Sequence, residues 1–93
     1  MNLPALTSLN PNLSLETLFD IAARYGNAKL FRMKRGYHAC IEVFVTVDGT
    51  KFEVSSELDH PTPKEAMICM LQRLKEALDK LGVKDELKRD LSL

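Results

Sequence analysis

Residues 62–82, TPKEAMICMLQRLKEALDKLG, carry a helix signature that is complete from its start signal to its stop signal. Thr62 suits the N-cap because its hydroxyl can accept a backbone N–H that the first turn leaves over. Pro63 falls at the first helical position, where its missing N–H is not needed, and Glu65 completes a Thr-x-x-Glu capping box. Gly82 supplies the stop. Met67, Met70, Leu71, Leu74, Ala77, Leu78 and Leu81 recur at spacings of three and four, while Lys64, Glu65, Gln72, Arg73, Glu76, Asp79 and Lys80 mostly lie elsewhere around the helix. Such a helix has one apolar face and needs a sheet or another helix against it.

The cover is found upstream. Residues 39–47 read as the clearest strand and residues 50–56 as the next, joined by Asp48-Gly49, a strong local hairpin signal. A two-residue turn there pairs Val45 with Phe52, Val43 with Val54, and Val47 with Thr50, which makes one apolar face. The opposite face carries Glu42, Phe44, Thr46, Lys51 and Glu53, a mixed surface in which Phe44 is the large apolar exception. Earlier still, residues 29–34 alternate Phe31 and Met33 against Leu30, Arg32 and Lys34. They suit a short strand with one face inward and with Leu30 available to cover Phe44. Lys34, Arg35, Gly36, Tyr37 and His38 read as the loop that follows.

The first helix reads from 13 to 25. Ser14 is its cap, Leu15, Leu18, Phe19, Ala22 and Tyr25 with Ile21 are its apolar stripe, and Gly26-Asn27 is its end. Residues 1–12, with Pro4, Pro11 and scattered leucines, read as a flexible arm, and 83–93 as a C-terminal tail or short helix. The expectation is an α+β domain over 13–82 of order αβββα, with both helices packed on one face of a three-stranded antiparallel sheet.

Composition narrows the task. Ninety-three residues suit one small domain, and thirteen basic residues balance thirteen acidic ones, so a nucleic-acid role must rest on local clustering. Cys40 and Cys69 match neither a disulfide framework nor a zinc spacing, which fits a reducing, cytoplasmic setting. No apolar run approaches a membrane span, and the four glycines are isolated at turns, without a phosphate-binding loop. No nucleophile, base and orienting acid are arranged recognisably, and His38, Cys40, His60 and Cys69 are spaced unlike a metal site. We expect no enzyme activity, cofactor, metal, small-molecule substrate or membrane contact.

With the order helix, three strands, helix in place, the chain resembles the double-stranded-RNA-binding domain family. LFDIAARYG, residues 18–26, is similar to the family's first-helix segment, with Asp20 at the acidic place and Arg24 at the basic one; the family's glutamine falls on Ala23 here. Gly36-Tyr37-His38, after Lys34-Arg35, resembles the family's Gly-Pro-x-His loop, shortened and without the proline. The lysine cluster that opens the family's last helix corresponds to Pro63, Lys64, Glu65, Ala66 and Met67, which keep one lysine. The resemblance implies the αβββα fold and three RNA-contact regions, all thinned, in which phosphates would be gripped across a groove.

Two functions follow as expectations. The first is a non-catalytic protein-interaction module, meeting another protein or a second copy of itself through Leu30, Glu42, Phe44, Thr46 and Lys51, with Phe44 as an apolar anchor inside a polar rim. The alternative is weak or shape-selective binding of double-stranded RNA through Asp20, Arg24, Lys34, Arg35, Tyr37, His38 and Lys64.

Overall fold

The computed structural model describes residues 9–43 and 51–80. Its elements run in the order expected: α1 (Leu15–Ala23), β1 (Gly26–Met33), β2 (Gly36–Val43), β3 (Phe52–Ser55) and α2 (Pro63–Lys80). The strands form one antiparallel sheet of order β1-β2-β3.

Both helix starts follow their caps. The Ser14 hydroxyl accepts the N–H of Thr17 at 3.1 Å, and the Thr62 hydroxyl accepts the N–H of Glu65 at 3.1 Å, so each side chain satisfies an amide the first turn leaves unbonded. The helices bury their stripes on the same side of the sheet. Leu18, Ile21 and Ala22 of α1 and Ala66, Met67, Met70, Leu71, Leu74 and Leu78 of α2 close over Ala39, Ile41 and Val43 of β2 and Val54 of β3. Tyr25 joins this core from the α1–β1 junction, and Leu9 and Leu13 pack at its margin. Residue 81 onward, with the Gly82 stop, lies outside the described residues, as do Asp48-Gly49.

Besides the start of β2 at Gly36, three residues before the expected strand, boundaries and registers depart from the sequence reading in three places. Gly26 does not sit beyond α1 as a stop: the helix ends at Ala23, and Gly26 is already the first residue of β1, opposite Val43. A Cβ there would run into the backbone carbonyl of Glu42, so the helix turns into the ladder at a residue that has none. Second, β2 and β3 pair as Val43 with Phe52 and Ile41 with Val54, displaced by two positions from the register of a two-residue turn at Asp48-Gly49. An even displacement keeps every side chain on its face, so Val43, Phe52 and Val54 still point inward.

The third departure inverts a strand. In β1 it is Ala28 and Leu30 that face the helices, opposite Ile41 and Ala39, whereas Phe31 and Met33 stand on the open side at 45% and 43% exposure. The cause is the tight turn. Only Lys34 and Arg35 separate the strands, so Met33 pairs with Gly36 and the buried parity of β2 is passed directly to β1. Neither Lys34 nor Arg35 takes a positive φ; the turn closes on Gly36, whose φ of 148° and contact with the His60 carbonyl exclude a side chain.

Leu74 is fully buried between α2 and the sheet, so Leu74→Ala should lower stability by about 2 to 5 kcal/mol, whereas Thr62→Ala should cost about 0.5 to 2 kcal/mol through the lost cap bond. Urea midpoints check both; an unchanged midpoint for Leu74→Ala would mean that α2 buries another face.

Candidate functional site

The sheet has one face under the helices and one without cover among the described residues. The register reads its open side row by row: Asn27, Glu42 and Glu53 share one row, Lys29, Cys40 and Ser55 the next, then Phe31 beside His38, and Met33 beside Gly36. Phe31 and Met33, two residues apart on one strand face, form an apolar pair at the hairpin end. Lys29, His38 and Cys40 border it. At the other end Glu42 and Glu53 lie directly opposite each other, and like charges so placed repel.

Charge is sorted along the chain as well. Between Asp20 and Glu42 there is no acidic residue, while Arg24, Lys29, Arg32, Lys34 and Arg35 are all basic. A protein neutral overall therefore carries a basic β1 strand and hairpin. At its inner-face end, Arg32 donates to the Tyr37 hydroxyl at 2.7 Å and its guanidinium carbon lies 4.9 Å from the ring centre, a hydrogen bond reinforced by cation–π attraction.

Behind the hairpin a polar corner ties β2 to the start of α2. Tyr37 exchanges two backbone hydrogen bonds with His60, at 2.7 and 2.8 Å, as an isolated bridge beyond the end of β3. Ser56 is 2% exposed; its hydroxyl accepts the Ala39 N–H at 3.2 Å, donates to the Leu58 carbonyl at 3.3 Å and lies 3.4 Å from His38 Nδ1. That serine and histidine superficially suggest a nucleophile and base. The hydroxyl is buried and its proton committed to Leu58, which makes Ser56 a joint in the chain. Cys69 Sγ adds a contact to the Ser56 carbonyl at 3.5 Å.

The expected RNA-contact residues lie on several elements. Tyr37 and His38 do not share a loop with Lys34 and Arg35: both belong to β2, where Tyr37 turns inward toward Arg32 and His38 outward beside Phe31. Lys34 and Arg35 are exposed at the turn. Lys64 donates to the Pro11 carbonyl at 3.1 Å, so it binds the N-terminal segment to α2. Asp20 is exposed on α1, and Arg24 is its half-buried C-cap. Of the expected protein-contact residues, Glu42 and Lys51 are exposed, Leu30 lies on the helix side, and Phe44 and Thr46 fall outside the described residues.

The sequence reading thus missed Phe31 and Met33 as surface groups. The signal was present: reading backward from Ile41 through a two-residue turn places Leu30 inward. A groove of about 310 Å³ also runs between β3 and α2, but the Glu57–Arg73 ion pair at 2.7 Å stands at it. Among the described residues no three His, Cys, Asp or Glu side chains converge as a metal site, and no helix is long and apolar enough to cross a membrane.

Burial pushes the Cys40 thiol above its usual value of 9.0; Glu53 raises it further, and Lys29 pulls it back. A raised value keeps the thiol protonated and slow to alkylate at neutral pH. Glu53→Gln should therefore speed iodoacetamide capture of Cys40 and Lys29→Ala should slow it, followed residue by residue by peptide mass spectrometry. Equal rates in both variants would show that neither charge acts on the thiol.

No family model matches this chain, and neither a curated protein nor a solved structure matches it at a significant level.

Proposed function

We propose that this chain is a non-catalytic protein-contact module on a scaffold like that of the double-stranded-RNA-binding domains, and that its contact surface is the open sheet face. The observation that carries the reading is the exposed pair Phe31 and Met33 on a face whose other residues are polar or charged. An apolar patch bordered by polar groups is the composition from which interface hot spots are built. The rim is asymmetric. Lys29 and the Lys34-Arg35 turn lie toward the apolar pair and Glu42 and Glu53 lie at the far end, so the surface suits a protein that brings acidic groups to the hairpin end. Two free thiols suit the reducing interior of a cell.

Duplex RNA is the weaker reading on magnitude. Phosphate contacts dominate such affinity, and here Lys64 is engaged by Pro11, Tyr37 faces inward, and Glu42 and Glu53 stand on the open face. What remains supports no more than non-specific affinity, about 10⁻⁴ to 10⁻⁶ M at physiological salt. Two measurements decide the matter. Affinity capture after nuclease treatment should retain protein partners that Phe31→Ser loses without a change in melting temperature. In parallel, duplex RNA should bind only weakly at about 150 mM salt. Sub-micromolar RNA binding that is abolished by Lys34→Glu with Arg35→Glu and indifferent to Phe31→Ser would overturn the proposal.

A further inference from the structure

Among the described residues strand β1 is the longer edge of the sheet, with eight residues against four in β3, and it pairs on one side only. The direction of its backbone groups follows from its partner. Tyr37 spends its N–H and C=O on His60, so both point away from β1. In an antiparallel ladder, opposed residues either exchange both bonds or turn both outward. Arg32, opposite Tyr37, therefore turns its N–H and C=O away from β2, and by alternation so do Leu30 and Ala28. Among the described residues no backbone group meets that row.

We infer that β1 takes up an extended acidic peptide segment of a partner protein as a fourth strand. This rests on the reading of the open sheet face as a protein-contact surface and states how the partner is held. A row of alternating N–H and C=O groups is completed by another peptide backbone. A phosphate backbone does not complete it, because phosphate oxygens only accept and leave the outward carbonyls without donors. The side chains set the chemistry. Lys29 and Phe31 stand two apart on the open side, so the added strand places an acidic side chain and, two residues along, an apolar one on the same face. Arg32 on the helix side takes a second acid.

Sign also argues against a second copy of this strand. Two β1 edges laid side by side would set Lys29 and Arg32 of one copy near those of the other, and basic residues on an edge are a common means of blocking that pairing. The same residues attract an acidic strand. Lys29 and Arg32 on the strand and Lys34 and Arg35 at its turn are all basic, so attraction extends along the edge and its turn.

The test uses the full chain and a fluorescein-labelled, end-capped peptide containing Glu-Val-Thr-Glu, which as a strand sets valine and the second glutamate two apart on one face and the first glutamate on the other, followed by anisotropy. Two further versions carry N-methyl groups on one or the other alternate set of backbone nitrogens. The expected result is binding by the parent peptide and by only one methylated version, since only one set of N–H groups can face β1. Affinity should fall at least tenfold in Lys29→Glu with an unchanged melt. Equal binding of both methylated versions would overturn strand addition, and equal binding of the same peptide with lysine in place of both glutamates would overturn the acidic occupant. Self-association that Lys29→Glu strengthens would overturn it in favour of a second copy. Failure of every peptide to bind, with nuclease-resistant capture still lost in Phe31→Ser, would overturn this inference and leave the sheet-face reading standing.

Discussion

Burial of Ala39, Ile41 and Val43 on one side of the central strand governs the direction of every other side chain in the sheet. A strand has only two faces, and a slip of one residue would put all three into water. Because β2 pairs on both sides, its parity passes to β3 through Val43–Phe52 and Ile41–Val54 and to β1 through Ile41–Ala28 and Ala39–Leu30. Tyr37, one step beyond Ala39 on the same face, also anchors the return of the chain through His60. Three residues after that bridge α2 begins under its Thr62 cap. The helix that covers the sheet thus starts where the central strand's edge bonds place it.

The parts of this architecture that were legible in the sequence are those decided locally. Ser14 and Thr62 act on amides three residues away, and the α2 stripe repeats for several turns, so caps and buried faces could be read without knowing the partners. The αβββα order followed. Residues 26–38 were harder, because the direction of β1 is set by a strand beyond a turn. Phe31 and Met33 look like core residues by composition, and burial is decided by Ile41, ten positions later. The two-position shift between β2 and β3 shows the converse: a misread turn does little harm when the displacement is even. For the site, the charged residues were visible individually. Their directions were not, since Tyr37 and His38 lie on successive positions of a strand, one inward and one outward, and not in one loop.

Several features of the open face run against the isolated domain's own stability. Two large apolar side chains meet water, and Glu42 faces Glu53 across a ladder. Local conflicts of this kind are expected where a surface is shaped by function rather than folding. The inner face shows none of them. At its hairpin end Arg32 is matched to the Tyr37 hydroxyl and Ser56 to Ala39 and Leu58, His60 Nε2 is buried without a hydrogen-bond partner, and the remainder is closely covered hydrocarbon. The contrast between the two faces, more than any single residue, supports a contact role for the open one.

The central claim is that this face and the β1 edge are open in the free protein. Residue-resolved amide hydrogen exchange of the free chain tests it most directly, because it reports which backbone groups of β1 are bonded. The account predicts alternation: slow exchange at Lys29 and Phe31, whose N–H groups face β2, and fast exchange at Ala28, Leu30 and Arg32, whose N–H groups face outward. Slow exchange at all five would contradict it, since the edge would then already be occupied and no partner strand could be added there.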